Sequence, residues 1–93
     1  MTVDEFKATL SGPAPPRVAP PLQALWHDAR GDWDKAHAVA QDVDDPSGAW
    51  VHAYLHRKEG DLGNAGYWYR RANQPIATDP LDAEWTRIVE ALL

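Results

Sequence analysis

His52 and His56 stand four residues apart in a stretch that reads as helix, so their side chains share one face. Two imidazoles at that spacing can chelate a single metal ion. His27 holds, in an earlier passage, the place that His56 holds in a later one, and His37 lies on the segment against which the later passage would pack. His37, His52 and His56, with Glu59 or Asp32 as a carboxylate, therefore have the donor types of a site for a divalent transition metal such as zinc. The plainer alternative needs no cofactor: each ring packs inside and hydrogen-bonds to a carboxylate, a backbone carbonyl or another histidine. Partly buried imidazoles would then charge near pH 6, so mild acid should loosen the packing.

A second group could recognise a partner. Trp50, Tyr54, Tyr67 and Trp68 are edged by Arg57, Lys58, Arg70 and Arg71. Aromatics beside arginine are the composition of interaction hot spots, and guanidinium groups suit a peptide or protein partner with an acidic end. Each tryptophan could equally belong to a core. Enzymatic chemistry has little to work with. There is no GxSxG and no Gly-rich phosphate loop, and Ser11 and Ser47 sit in turn-like contexts. Asp44-Asp45 reads as a helix-end pair. A hydrolytic metal site at the histidines is the one form that catalysis could take.

The elements that must position these groups are written as a repeat. His27 and His56, Gly31 and Gly60, Asp32 and Asp61, Ala36 and Ala65, and Pro46 and Pro75 all recur at one offset of 29 residues. Such a period marks helical hairpins that bury their apolar faces by stacking. Gly31 and Gly60 should end helices, and Asp32 and Asp61 should cap the next ones. The spacing predicts helices from Pro21 to about Arg30 and from Asp32 to about Val43. A third opens at Pro46 or Ser47 and ends at Gly60; a fourth runs from Asp61 to about Ala72. Asp79 should cap a last helix that starts at Pro80 and covers the end of the stack. Thr2 and Glu5 form a capping-box pattern for a short N-terminal helix through Leu10. Residues 12–21, GPAPPRVAPP, can only be an extended strap or linker.

The later passage, AWVHAYLHRKEGDLGNAGYWYRRANQP, resembles a tetratricopeptide or Sel1-like hairpin. The resemblance rests on Ala53 midway in the first helix, the Gly60-Asp61 turn, and Ala65, Tyr69 and Ala72 in the second. The earlier passage matches through Ala24, Gly31-Asp32 and Ala36. The period is shorter than the roughly 34 residues of tetratricopeptides, and two copies are fewer than the three such stacks usually need. The resemblance covers about residues 22–75 and implies two stacked antiparallel hairpins; with the C-terminal capping helix they make an all-α repeat domain over residues 22–93, preceded by the short helix and proline-rich strap of residues 1–21. It also implies that Trp50, Tyr54, Arg57 and Lys58 line a concave side. A homodimer could supply the missing stack neighbour.

Composition narrows the rest. The chain has 93 residues, room for one thin core. Fourteen acids against nine bases give a net charge of −5, which argues against a nucleic-acid partner. With no cysteine, disulfides and thiolate zinc sites are excluded. No apolar run reaches the ~18 residues of a membrane span, and MTVDEFKATL lacks the apolar core of a secretory signal, so a cytoplasmic location is expected.

Overall fold

Local signals start and stop nearly every helix. The computed structural model describes all residues, 1–93. Thr2 and Glu5 cap α1 (Val3–Ala8) reciprocally: Thr2 Oγ1 accepts from the Glu5 amide at 3.1 Å, and Glu5 Oε1 from the Thr2 amide at 2.9 Å. The predicted continuation to Leu10 tightens instead into a 3₁₀ turn, Thr9–Ser11, with the Thr9 hydroxyl donating to the Phe6 carbonyl at 2.6 Å. Two prolines open α2 (Pro20–Ala29), where their missing amides cost nothing.

The two repeated turns have one construction. Gly31 (φ 83°) and Gly60 (φ 89°) adopt the left-handed conformation that other residues enter at a cost of about 1–2 kcal/mol. The Gly31 and Asp32 amides fold back onto the carbonyls of Asp28 and His27; those of Gly60 and Asp61 fold back onto Arg57 and His56. Each aspartate then caps the next helix. Asp32 Oδ1 accepts from the Lys35 amide at 3.1 Å to open α3 (Trp33–Gln41), and Asp61 Oδ1 from the Asn64 amide at 3.3 Å to open α5 (Leu62–Ala72). Between them lies α4 (Pro46–Lys58), capped by Asp45, whose Oδ1 accepts from the Gly48 amide at 3.0 Å.

Two further predicted boundaries move. α3 stops at Gln41, short of Val43, because the Val43 amide turns back to the Ala40 carbonyl before the chain enters the Asp45 cap. α6 (Leu81–Leu92) begins without a side-chain cap. The carboxylate of Asp79, the predicted cap, is held by Arg87 at 2.5 and 3.3 Å, and its carbonyl accepts from Arg57 Nη2.

At the α3–α4 junction a Cβ on Gly48 would collide with the Val43 carbonyl oxygen. Gly48→Ala should therefore destabilise by about 1–3 kcal/mol. Gly63→Ala, in α5, meets no atom within 4 Å and should stabilise by about 0.5–1 kcal/mol. Urea melts of both variants check this; equal midpoints would mean that the junction yields freely.

Packing follows the hairpins. α2 pairs with α3 and α4 with α5, each antiparallel. Ala24, Ala36, Ala53 and Ala65 are fully buried and let the paired helices approach closely. α4 is the central helix: it touches α2, α3, α5 and α6, and every residue from Gly48 to His56 is buried. α6 lies against α2 and α4, with Trp85 Nε1 donating to the Leu25 carbonyl at 3.0 Å and its ring 5.9 Å from that of Phe6 in α1. The strap is docked: Arg30 Nη1 donates to the carbonyls of Leu10 and Gly12, and Gln23 Nε2 to that of Val18. No helix is long and apolar enough to cross a membrane.

Candidate functional site

The expected aromatic and arginine face is divided in two. Trp50 and Tyr54 are buried, because α6 covers the side of α2 and α4 that the hairpin resemblance would leave open. Arg57 Nη1 donates to Glu84 Oε1 of α6 at 2.8 Å. Lys58 Nζ donates to Asp28 Oδ1 at 2.9 Å, and the Tyr54 hydroxyl to Asp28 Oδ2 at 3.1 Å. Burial, reinforced by Asp28, pushes the Tyr54 hydroxyl pKa far up, so it serves as a donor and not as a proton source. Tyr54 and Lys58 line the edge of a cavity of about 410 Å³ with Leu10, Leu81 and Trp85.

Of the remaining four residues, all on α5, Tyr67, Trp68 and Arg71 stay together, and Arg70 stands apart near Gly66. Tyr67 is 44% exposed, Arg70 and Arg71 are exposed and Trp68 is half-buried. The Arg71 guanidinium lies 5.8 Å from the Tyr67 ring and 5.2 Å from the Trp68 ring, and its Nη1 donates to the Tyr67 hydroxyl at 3.0 Å. No ion pair with a carboxylate engages either arginine. A depression of about 230 Å³ adjoins Trp68 and Arg71, its other wall carrying Val43, Asp44, Asp45 and Pro46.

Three of the four histidines converge at the junction of the hairpins. α4 presents His52 and His56 on one face, and α3 presents His37 against them. His37 Nε2 and His52 Nε2 are 3.0 Å apart. The rings of His52 and His56 stack at 4.8 Å, with the His37 ring nearly perpendicular to both. One ring nitrogen of each histidine lies within 4.8 Å of the other two. His52 and His56 are 6% and 7% exposed; His37 is half-buried. Burial, then the neighbouring rings of His37 and His56, pulls the His52 pKa down to about 4, and burial also lowers that of His37. The imidazoles of His37 and His52 are thus held in the uncharged form that donates a lone pair.

Around them stands an orienting shell. His56 Nδ1 donates to Glu59 Oε1 at 2.6 Å, and Asn64 Nδ2 donates to His56 Nε2 at 3.3 Å. Trp33 stacks on His37 at 4.9 Å and Trp68 on His52 at 3.9 Å. Asp32 is not part of the group, since its carboxylate caps α3. His27, at the place matching His56, lies edge-on to Trp26 and joins no cluster. Asn64 carries no signal in the sequence. It is an ordinary first-turn residue of α5, and only the pairing of α4 with α5 brings it to His56.

Fold and site together define a six-helix, all-α domain with a tryptophan-walled imidazole cluster where two antiparallel hairpins meet. Comparison with protein families, with curated proteins and with solved structures finds no match for the chain.

Proposed function

We propose that this chain is a small helical-hairpin interaction module, of tetratricopeptide or Sel1-like kind, that binds an acidic peptide segment of a partner protein on the outer side of α5. The single observation that carries the reading is the arrangement of Tyr67, Trp68, Arg70 and Arg71. The Arg71 guanidinium, without a carboxylate partner, is pre-positioned over the exposed Tyr67 ring and the half-buried Trp68 ring, and Arg70, also without an ion pair, is exposed on the same helix. An arginine held in place loses less freedom on binding a carboxylate, and the adjoining rings give apolar area. The hairpin assignment is supported by the Gly-Asp turns and by the four buried alanines at the helix contacts. α6 departs from that pattern by occupying the side of α2 and α4, which moves the docking face to α5.

Fluorescence titration against peptides ending in Asp-Glu tracts, with neutral peptides of equal length beside them, tests the reading. Acidic peptides should bind, and Tyr67→Ala with Arg71→Glu should weaken them at least tenfold without moving the melting temperature. Higher salt should weaken binding further. Equal affinity for neutral peptides would refute the charge recognition. A concentration-dependent dimer in light scattering, abolished by the same substitutions, would reassign the face to self-association.

A further inference from the structure

We infer that His37, His52 and His56 bind one divalent transition metal ion, with Glu59 as the residue that orients His56 toward it. The inference does not rest on the α5 docking face, with which the site shares only Trp68.

The geometry points to a ligand set. His37 Nε2 and His52 Nε2 face each other at 3.0 Å. Two nitrogens bound tetrahedrally to one zinc ion at 2.0–2.1 Å would be about 3.3 Å apart. One ring nitrogen of His56 lies within 4.8 Å of both. His56 has a defined role because its Nδ1 is committed to Glu59 at 2.6 Å. That leaves Nε2 as the lone-pair donor, now satisfied by the Asn64 amide at 3.3 Å. A carboxylate behind a ligating histidine fixes its tautomer and raises its basicity, the usual support of a metal-bound imidazole.

The environment fits as well. Trp33 and Trp68 stack on His37 and His52 and limit their rotation, so less ring freedom is lost on binding. Imidazole-only donors, with no cysteine in the chain, select zinc, nickel, cobalt or cupric copper over soft cuprous ion and over oxygen-seeking magnesium or calcium. Three imidazoles leave a coordination position for solvent. His37 belongs to the first hairpin and His52 and His56 to the second, so the ion would also tie the two hairpins together.

The test uses tag-free full-length chain stripped with chelator and dialysed. Cobalt(II) titration should give the visible ligand-field bands of a four-coordinate site at a stoichiometry of one, displaced by zinc. Zinc should raise the melting temperature, and magnesium should not. His37→Gln, at the half-buried position, should reduce affinity at least tenfold. Glu59→Gln should reduce it about 10–100-fold, as loss of an orienting carboxylate does. His27→Gln, outside the cluster, should leave affinity unchanged. Circular dichroism of each variant confirms that it is folded before titration. The inference is overturned if cobalt gives no ligand-field bands with the folded wild-type chain, or if His27→Gln removes binding while His37→Gln and Glu59→Gln retain it.

Discussion

Glu84→Ala should lower the unfolding free energy by about 3–5 kcal/mol, a large share of what holds a domain of this size together. Glu84 is 0% exposed and sits on α6. Its carboxylate accepts the Tyr69 hydroxyl on both oxygens, at 2.8 and 2.6 Å, and Arg57 Nη1 at 2.8 Å. One side chain thus fastens α6 to α4 and α5. Truncation leaves a guanidinium, itself largely enclosed, without its counter-charge, and leaves a tyrosine hydroxyl without an acceptor. Burial is the first cause that raises the Tyr69 pKa and it persists without Glu84, so that hydroxyl stays protonated and in need of an acceptor. Glu84→Gln keeps the shape and one acceptor, and should cost less, about 1–3 kcal/mol. Urea denaturation followed by far-UV circular dichroism separates the three proteins. A Glu84→Ala midpoint matching wild type would show that the network is open to water.

Acid should unfold the metal-free chain chiefly through His52. Its pKa is about 4 when folded, against 6.5 for the free side chain, because burial and then the rings of His37 and His56 disfavour its charged form. The unfolded chain therefore takes up a proton near pH 6.5 that the folded chain takes up only near pH 4. Stability is full above the higher value and falls as the pH drops between the two, by roughly 1.4 kcal/mol per pH unit. About 3 kcal/mol is lost across that window. His37 shifts in the same direction, through burial first and His56 second, while Glu59 and Asp34 oppose it. Trp68, packed on His52 from α5, brings no charge to offset the effect. Asp45 is held below its usual range by bonds from Ser47 and Gly48, so its contribution disappears at still lower pH. Urea midpoints from pH 7.5 to 4 in chelator, for wild type and His52→Gln, isolate the histidine. Parallel curves would remove His52 as the cause.

The site was legible in proportion to how local its geometry is. His52 and His56 are one helical turn apart, so their shared face follows from helix pitch. His37 could be added because the repeat places its helix against α4. Asn64, Trp33 and Trp68 complete the surroundings through contacts between helices, and no spacing encodes them. Trp50 and Tyr54 show the opposite case. A tryptophan in a hairpin helix has the same sequence signature on a binding face as in a core, and here α6 made it core.

From residues alone came the helices, the turns at Gly31-Asp32 and Gly60-Asp61, the caps at Thr2, Asp32 and Asp61, and the pairing of hairpins. A left-handed glycine, an aspartate cap or a proline start acts within four residues and needs no distant partner. Tertiary structure alone decided where α6 lies, that Asp79 serves Arg87 and not a helix end, and which arginines remain free. An apolar stripe states that a helix face must be covered, and it carries no record of what covers it.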